Sequence, residues 1–104
     1  MENLNIENIR ELASQNKIKW TEHGSLRMFE RKIHREDIIR AIYNGSIIEN
    51  YPNDYPFPSC LVLGIPENRQ PLHIVCGIGK EYLYVITAYY PDNVEWEEEM
   101  RRRK

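Results

Sequence analysis

Apolar positions along the chain follow a helical rhythm in the first half and an alternating one in the second. Over residues 3–15, Leu4, Ile6, Ile9, Leu12 and Ala13 form the approximate stripe of an amphipathic helix. Asn3 or Asn5 suits its N-cap and Asn16 its stop. Residues 17–21 (KIKWT) then alternate, with Ile18 and Trp20 on one side, as a short strand does. Thr21 is a good N-cap for a second helix reaching about Lys32, with Glu22 placed to meet the positive end of the helix dipole. Leu26, Met28, Phe29 and Ile33 give it apolar contacts. A third helix is predicted over 35–44, with Ile38, Ile39, Ala41, Ile42 and Tyr43 as its apolar surface. Gly45 is read as its left-handed stop.

From residue 46 the pattern is that of strands. SIIENY (46–51) is followed by a proline-rich turn, PNDYPFPS, and then by CLVLGI (60–65). LHIVCGI (72–78) and EYLYVITAYY (81–90) read as a hairpin turning at Gly79-Lys80. The Val, Ile, Tyr and Thr content of the last strand suits an interior position in the sheet, and Pro91 ends it. The tail from Asp92 is predicted as a final helix, with Glu97, Glu98 and Glu99 facing Arg101, Arg102 and Arg103 at i, i+4. Helices followed by strands indicate an α+β fold, with the N-terminal helices packed on one face of a twisted antiparallel sheet of about four to five strands.

The chain has 104 residues, enough for one domain with a modest core. Eleven aromatic side chains argue against a disordered segment. No apolar run approaches the ~18–20 residues of a membrane span. The first residues lack the basic start and apolar centre of a signal peptide. Cys60 and Cys76, the only two cysteines, lie in apolar runs without CxxC spacing, so packed, reduced thiols and a cytoplasmic location are expected. The net charge of −2 is unevenly spread. Residues 95–99 (EWEEE) hold four of the sixteen acids, whereas 23–40 hold Arg27, Arg31, Lys32, Arg35 and Arg40 with His23 and His34. A basic patch on a nearly neutral body is the expectation.

The arrangement that could carry chemistry is His23, Arg27 and Arg31, at i, i+4 and i+8 on one helical flank. Two guanidiniums provide forked, permanent donors for phosphate, and the histidine can move a proton near neutral pH. His73 projects from its strand opposite Leu72 and Ile74, and Thr87 and Tyr89 share a face of the next strand. An even hairpin register puts His73 and Thr87 on the same face; an odd one separates them. The competing interpretations are a satisfied core histidine and a solvated, salt-bridged arginine stripe. The three histidines lack metal-ligand spacing, so neither a metal nor a cofactor is expected.

Residues 21–64 (TEHGSLRMFERKIHREDIIRAIYNGSIIENYPNDYPFPSCLVLG) and the later segments PLHIV and ITAYYP resemble a bacterial family of small domains of unknown function. The resemblance spans about residues 18–96 and allies the family to the BrnT and RelE/ParE toxins. It implies a toxin-like core that acts as a metal-independent endoribonuclease. Carried over by position, His23 and His73 would be acid and base, and Arg27 and Arg31 the phosphate clamp. Thr87, Tyr89 and Lys32 would contact substrate. The implied partners are RNA and a cognate antitoxin protein, with homodimerisation an option. A non-catalytic phosphate- or protein-binding module is the alternative.

Overall fold

The computed structural model describes residues 4–67 and 70–104. Three helices, α1 (Ile6–Ser14), α2 (Glu22–Glu30) and α3 (Arg35–Asn44), are interleaved with and followed by strands. The strands are β1 (Ile18–Trp20), β2 (Ser46–Tyr51), β3 (Ser59–Gly64), β4 (Leu72–Gly79), β5 (Tyr82–Tyr89), β6 (Trp96–Glu97) and β7 (Arg102–Arg103). Among the described residues, no helix is long and apolar enough to cross a membrane.

The helix boundaries follow local chemistry. The Asn5 side chain accepts from the Asn8 N–H at 2.8 Å and starts α1, while Asn16 takes φ 57° and stops it. Asn3 lies outside the described residues. Thr21 Oγ1 accepts from the Gly24 N–H at 3.0 Å to start α2. Lys32, at φ 58°, ends that turn and lets the Ile33 N–H bond the Met28 carbonyl. Gly45 differs from expectation, because its backbone is extended at φ −94°. Glycine is needed there for space: a Cβ would lie 2.5 Å from the Ala41 oxygen and 2.7 Å from the Leu63 oxygen.

The main sheet has the order β1-β5-β4-β3-β2. β2 to β5 form the expected antiparallel meander, but β1 pairs with β5 in parallel, which makes the sheet mixed rather than antiparallel throughout. The β4–β5 turn is centred on Lys80-Glu81, both at positive φ, and not on Gly79-Lys80. Gly79 instead accommodates the Phe57 ring, whose nearest atom would sit 2.4 Å from an added Cβ.

All three helices share one core with one face of this sheet. Ile9, Leu12, Met28, Ile33, Ile38 and Ile42 pack with Cys60, Val62, Leu72, Ile74, Leu83 and Val85. Each fully buried aliphatic side chain contributes about 1.5–3 kcal/mol. A bulge falls between Val75 and Cys76 in the β4–β5 register and leaves Ile86 as the extra residue on β5. It reverses the facing of that strand. Leu83 and Val85 belong to the helical core, yet past the bulge Ala88 takes that side, and Thr87 and Tyr89 turn to the other.

The predicted terminal helix is absent. Asp92 Oδ1 does accept from the Val94 and Glu95 N–H groups, but the chain then forms the small β6–β7 hairpin, with Trp96 opposite Arg103. Of Val94, Trp96 and Met100 only the last two stand at helical spacing, too few apolar positions for a stripe, and i, i+4 charge pairs are worth only about 0.2–0.5 kcal/mol each. Burying the Trp96 ring, 2% exposed, outweighs them.

Candidate functional site

The α2 flank is formed as expected, although its members differ in setting. His23 is exposed in the first turn. Arg27 donates to Glu30 Oε1 at 2.8 Å, an exposed pair one helical turn apart. Arg31 is the C-cap residue. Its Nη1 donates to the Ala88 carbonyl at 2.8 Å and to the Thr87 hydroxyl at 3.3 Å. Eight positions of helix separate His23 from Arg31 by about 12 Å. The flank is therefore suited to successive charges along a chain, not to one phosphate. Lys32 departs from this group: it lines a cleft of about 790 Å³ between α2 and the start of α3, with Ser25, Phe29 and Arg35.

Among the described residues no strand lies beside the β5 edge beyond β1, and α2 serves it instead. Thr21 Oγ1 donates to the Ile86 carbonyl at 3.3 Å, and Arg31 serves Ala88. Gly24 permits the approach, because a Cβ there would lie 2.5 Å from the Ile86 oxygen. Through Thr87 the Arg31 guanidinium reaches the sheet face opposite the helices, where His73 is directly paired with Tyr89. The register at that end is the even one, and His73 and Thr87 do share a face.

His73 itself is fully buried. Its Nε2 donates to the Met100 carbonyl at 2.8 Å, since a carbonyl can only accept, and its Nδ1 lies 3.3 Å from the Tyr89 hydroxyl. The Trp96 ring stands edge-on to it, with centroids 4.4 Å apart. Burial holds the imidazole below its ordinary pKa, offset in part by the Met100 hydrogen bond. The structure thus brings His73 together with Tyr89 and Thr87, and leaves exposed His23 outside that cluster.

Sequence reasoning did not find the rest of this face. Glu49 and Tyr51, alternate residues of β2, point to the same side as His73, and the Tyr51 hydroxyl donates to Glu49 Oε1 at 2.6 Å. Burial and that carboxylate push the Tyr51 phenol up to about 12. Arg103 holds Glu49 Oε2 at 3.0 Å and stacks 4.6 Å over the Trp96 ring. The Glu49-x-Tyr51 alternation was a readable signal, whereas nothing in the tail indicated that Arg103 would return to β2. Burial also raises the Tyr89 phenol, and the charges acting on it come from Arg103, Glu49, Glu95 and Arg31. Among the described residues, no group of three or more His, Cys, Asp or Glu gathers as a metal site.

Arg31, Thr87, Tyr89 and His73 thus form a continuous polar band around the β5 edge, with Glu49 and Tyr51 farther along the sheet. Neither curated proteins nor solved structures give a match to this chain. A family model, the domain of unknown function DUF4258, matches residues 20–90, which include α2, the whole meander and the band. The chain belongs to the DUF4258 family.

Proposed function

We propose that this protein is a metal-independent endoribonuclease of the bacterial toxin type, related in kind to RelE and BrnT and acting in the cytoplasm against RNA. The observation that carries the reading is the Arg31–Thr87 contact, which joins the helical His23/Arg27/Arg31 flank to the face holding Tyr89 and His73. Permanent cations on the flank would hold successive phosphates of a single strand. A histidine would take the 2′-hydroxyl proton, and the freed oxygen would attack the adjacent phosphorus. The bond to the 5′-oxygen would break as an acid returns a proton to it, leaving a 2′,3′-cyclic phosphate and a 5′-hydroxyl. General acid–base help of this kind contributes about 10²–10⁴-fold, and charge stabilisation a comparable factor. A cognate antitoxin would be the natural protein partner.

The test is cleavage of total RNA by the purified chain in the presence of a chelator, compared with His23→Ala and Arg31→Ala. A loss of at least tenfold in each variant is expected. Cleavage that both variants retain in full would refute the assignment. The non-catalytic alternative, a phosphate- or protein-binding module, is favoured by one fact: His73 is sealed from solvent, leaving His23 as the solvent-facing histidine of the flank. It predicts that the chain retains RNA in a filter-binding assay without shortening it.

A further inference from the structure

The sheet face opposite the helices is half-buried and polar. It carries two polar pairs, His73 with Tyr89 and Tyr51 with Glu49, the second held also by Arg103. Of the four only His73 is fully buried, and both of its ring nitrogens have partners. The cover over this face is residues 92–103. Trp96 lies against the His73 ring, the Met100 carbonyl accepts a hydrogen bond from its Nε2–H, Arg103 pairs with Glu49, and Arg101 donates to Ser46 Oγ at 3.2 Å.

The cover is also weakly built. Its ladder is two residue pairs long, and neither strand joins the main sheet. Its turn holds three successive non-glycine residues, Glu98, Glu99 and Met100, at φ 53°, 58° and 69°, a region that side chains disfavour. Trp96 is buried, whereas Glu95, Glu98, Glu99 and residues 101–104 are exposed. The hairpin carries Glu95, Glu97, Glu98 and Glu99 together with Arg101, Arg102 and Arg103, and Arg102 pairs with Glu97 and Glu98 within it.

We infer that residues 92–103 are a displaceable strap, closed in this structure, that shuts His73 away from RNA until it lifts. This deepens the nuclease reading and rests on it for the substrate, while the movement of the strap can be measured without any substrate. The full chain is treated with diethyl pyrocarbonate, and acylation of each histidine is followed by peptide mass spectrometry. Exposed His23 and His34 act as internal references. In the wild type, His73 should react at least tenfold more slowly than His23. Trp96→Ala and, as a milder surface change, Arg103→Gln should each raise the His73 rate at least tenfold with circular dichroism unchanged. RNA cleavage measured in parallel should rise at least tenfold. A folded Arg103→Gln or Trp96→Ala protein whose His73 stays protected overturns the strap, as does a wild type whose His73 reacts as fast as His23. Exposure of His73 with no RNA cleaved by any form sustains the strap and overturns the nuclease reading. Cleavage that is already complete in the wild type and unchanged in the variants overturns the autoinhibition.

Discussion

The Arg31 guanidinium donates to the Ala88 carbonyl at 2.8 Å, and in doing so takes the place of a strand that β5 lacks along this part of its edge. β1 pairs only with Leu83, Tyr84 and Val85, so the carbonyls beyond them depend on side chains from α2 and its cap. The same cation is a structural tie and a phosphate ligand in the proposed reaction.

Two arginines of one flank should therefore differ in what their removal costs. Arg31→Ala leaves the Ala88 carbonyl without its charged donor and should lower stability by about 1 kcal/mol, its exposure limiting the loss. Arg27→Ala removes an exposed one-turn pair with Glu30 and should cost only about 0.2–0.5 kcal/mol. Urea unfolding of both variants measures this, and equal midpoints would contradict the tie.

His73 should make stability pH-dependent. Burial lowers its folded-state pKa, so the unfolded chain binds the proton more readily. The stabilisation is complete above the unfolded value of about 6.5 and is lost progressively as pH falls from there toward the folded value. Glu49 and Arg103 are the charged groups that act on this ring, in opposite directions. Thermal midpoints between pH 8 and pH 5 should fall for the wild type and fall less for His73→Gln, which keeps a donor for the Met100 carbonyl. Parallel curves for the two proteins would remove His73 as the cause.

Much of this architecture was legible because it is local. Thr21, Asn5 and Asn16 cap and stop their helices as their side chains dictate, and the meander follows its alternation. What was hidden depends on contacts distant in sequence. Nothing in EYLYVITAYY marks Ile86 as a bulge, yet that one residue turns Thr87 and Tyr89 toward His73. The parallel placement of β1 is likewise settled by the tertiary fit of Ile18 and Trp20 beside Leu83 and Val85. In the tail, the i, i+4 charges suggested a helix, and the burial of Trp96 prevailed. His23, Arg27 and Arg31 were found because a helix displays its own periodicity, whereas Glu49 and Arg103 meet only through the fold.

Gly64 should be among the positions least tolerant of a side chain. An added Cβ would lie 2.0 Å from the Ala41 oxygen and 2.7 Å from its Cα, so α3 would have to move off β3. Gly64→Ala is expected to cost about 3 kcal/mol or to prevent folding, the upper part of the range for overpacking. An unchanged urea midpoint would mean that the helix can shift freely.

Cys60 and Cys76 face each other across β3 and β4, both fully buried and unbridged. The hydrogen bond that the protonated Cys76 thiol makes to Cys60, together with burial, pushes Cys76 well up and suppresses its thiolate at neutral pH. An aromatic disulfide reagent should label neither thiol in the native chain and both in denaturant. Rapid native labelling would show that the sheet opens between these strands.

The parallel pairing of β1 with β5 also bears on how the protein is made. Ile18 meets Leu83, a separation that puts the first strand's partner in the last quarter of the chain. At typical rates of synthesis the ribosome needs roughly three to thirteen seconds to cover that interval. During it the apolar stripes of α1, α2 and α3 have no completed sheet to cover them. The order of translation therefore sets the order in which the two halves can join.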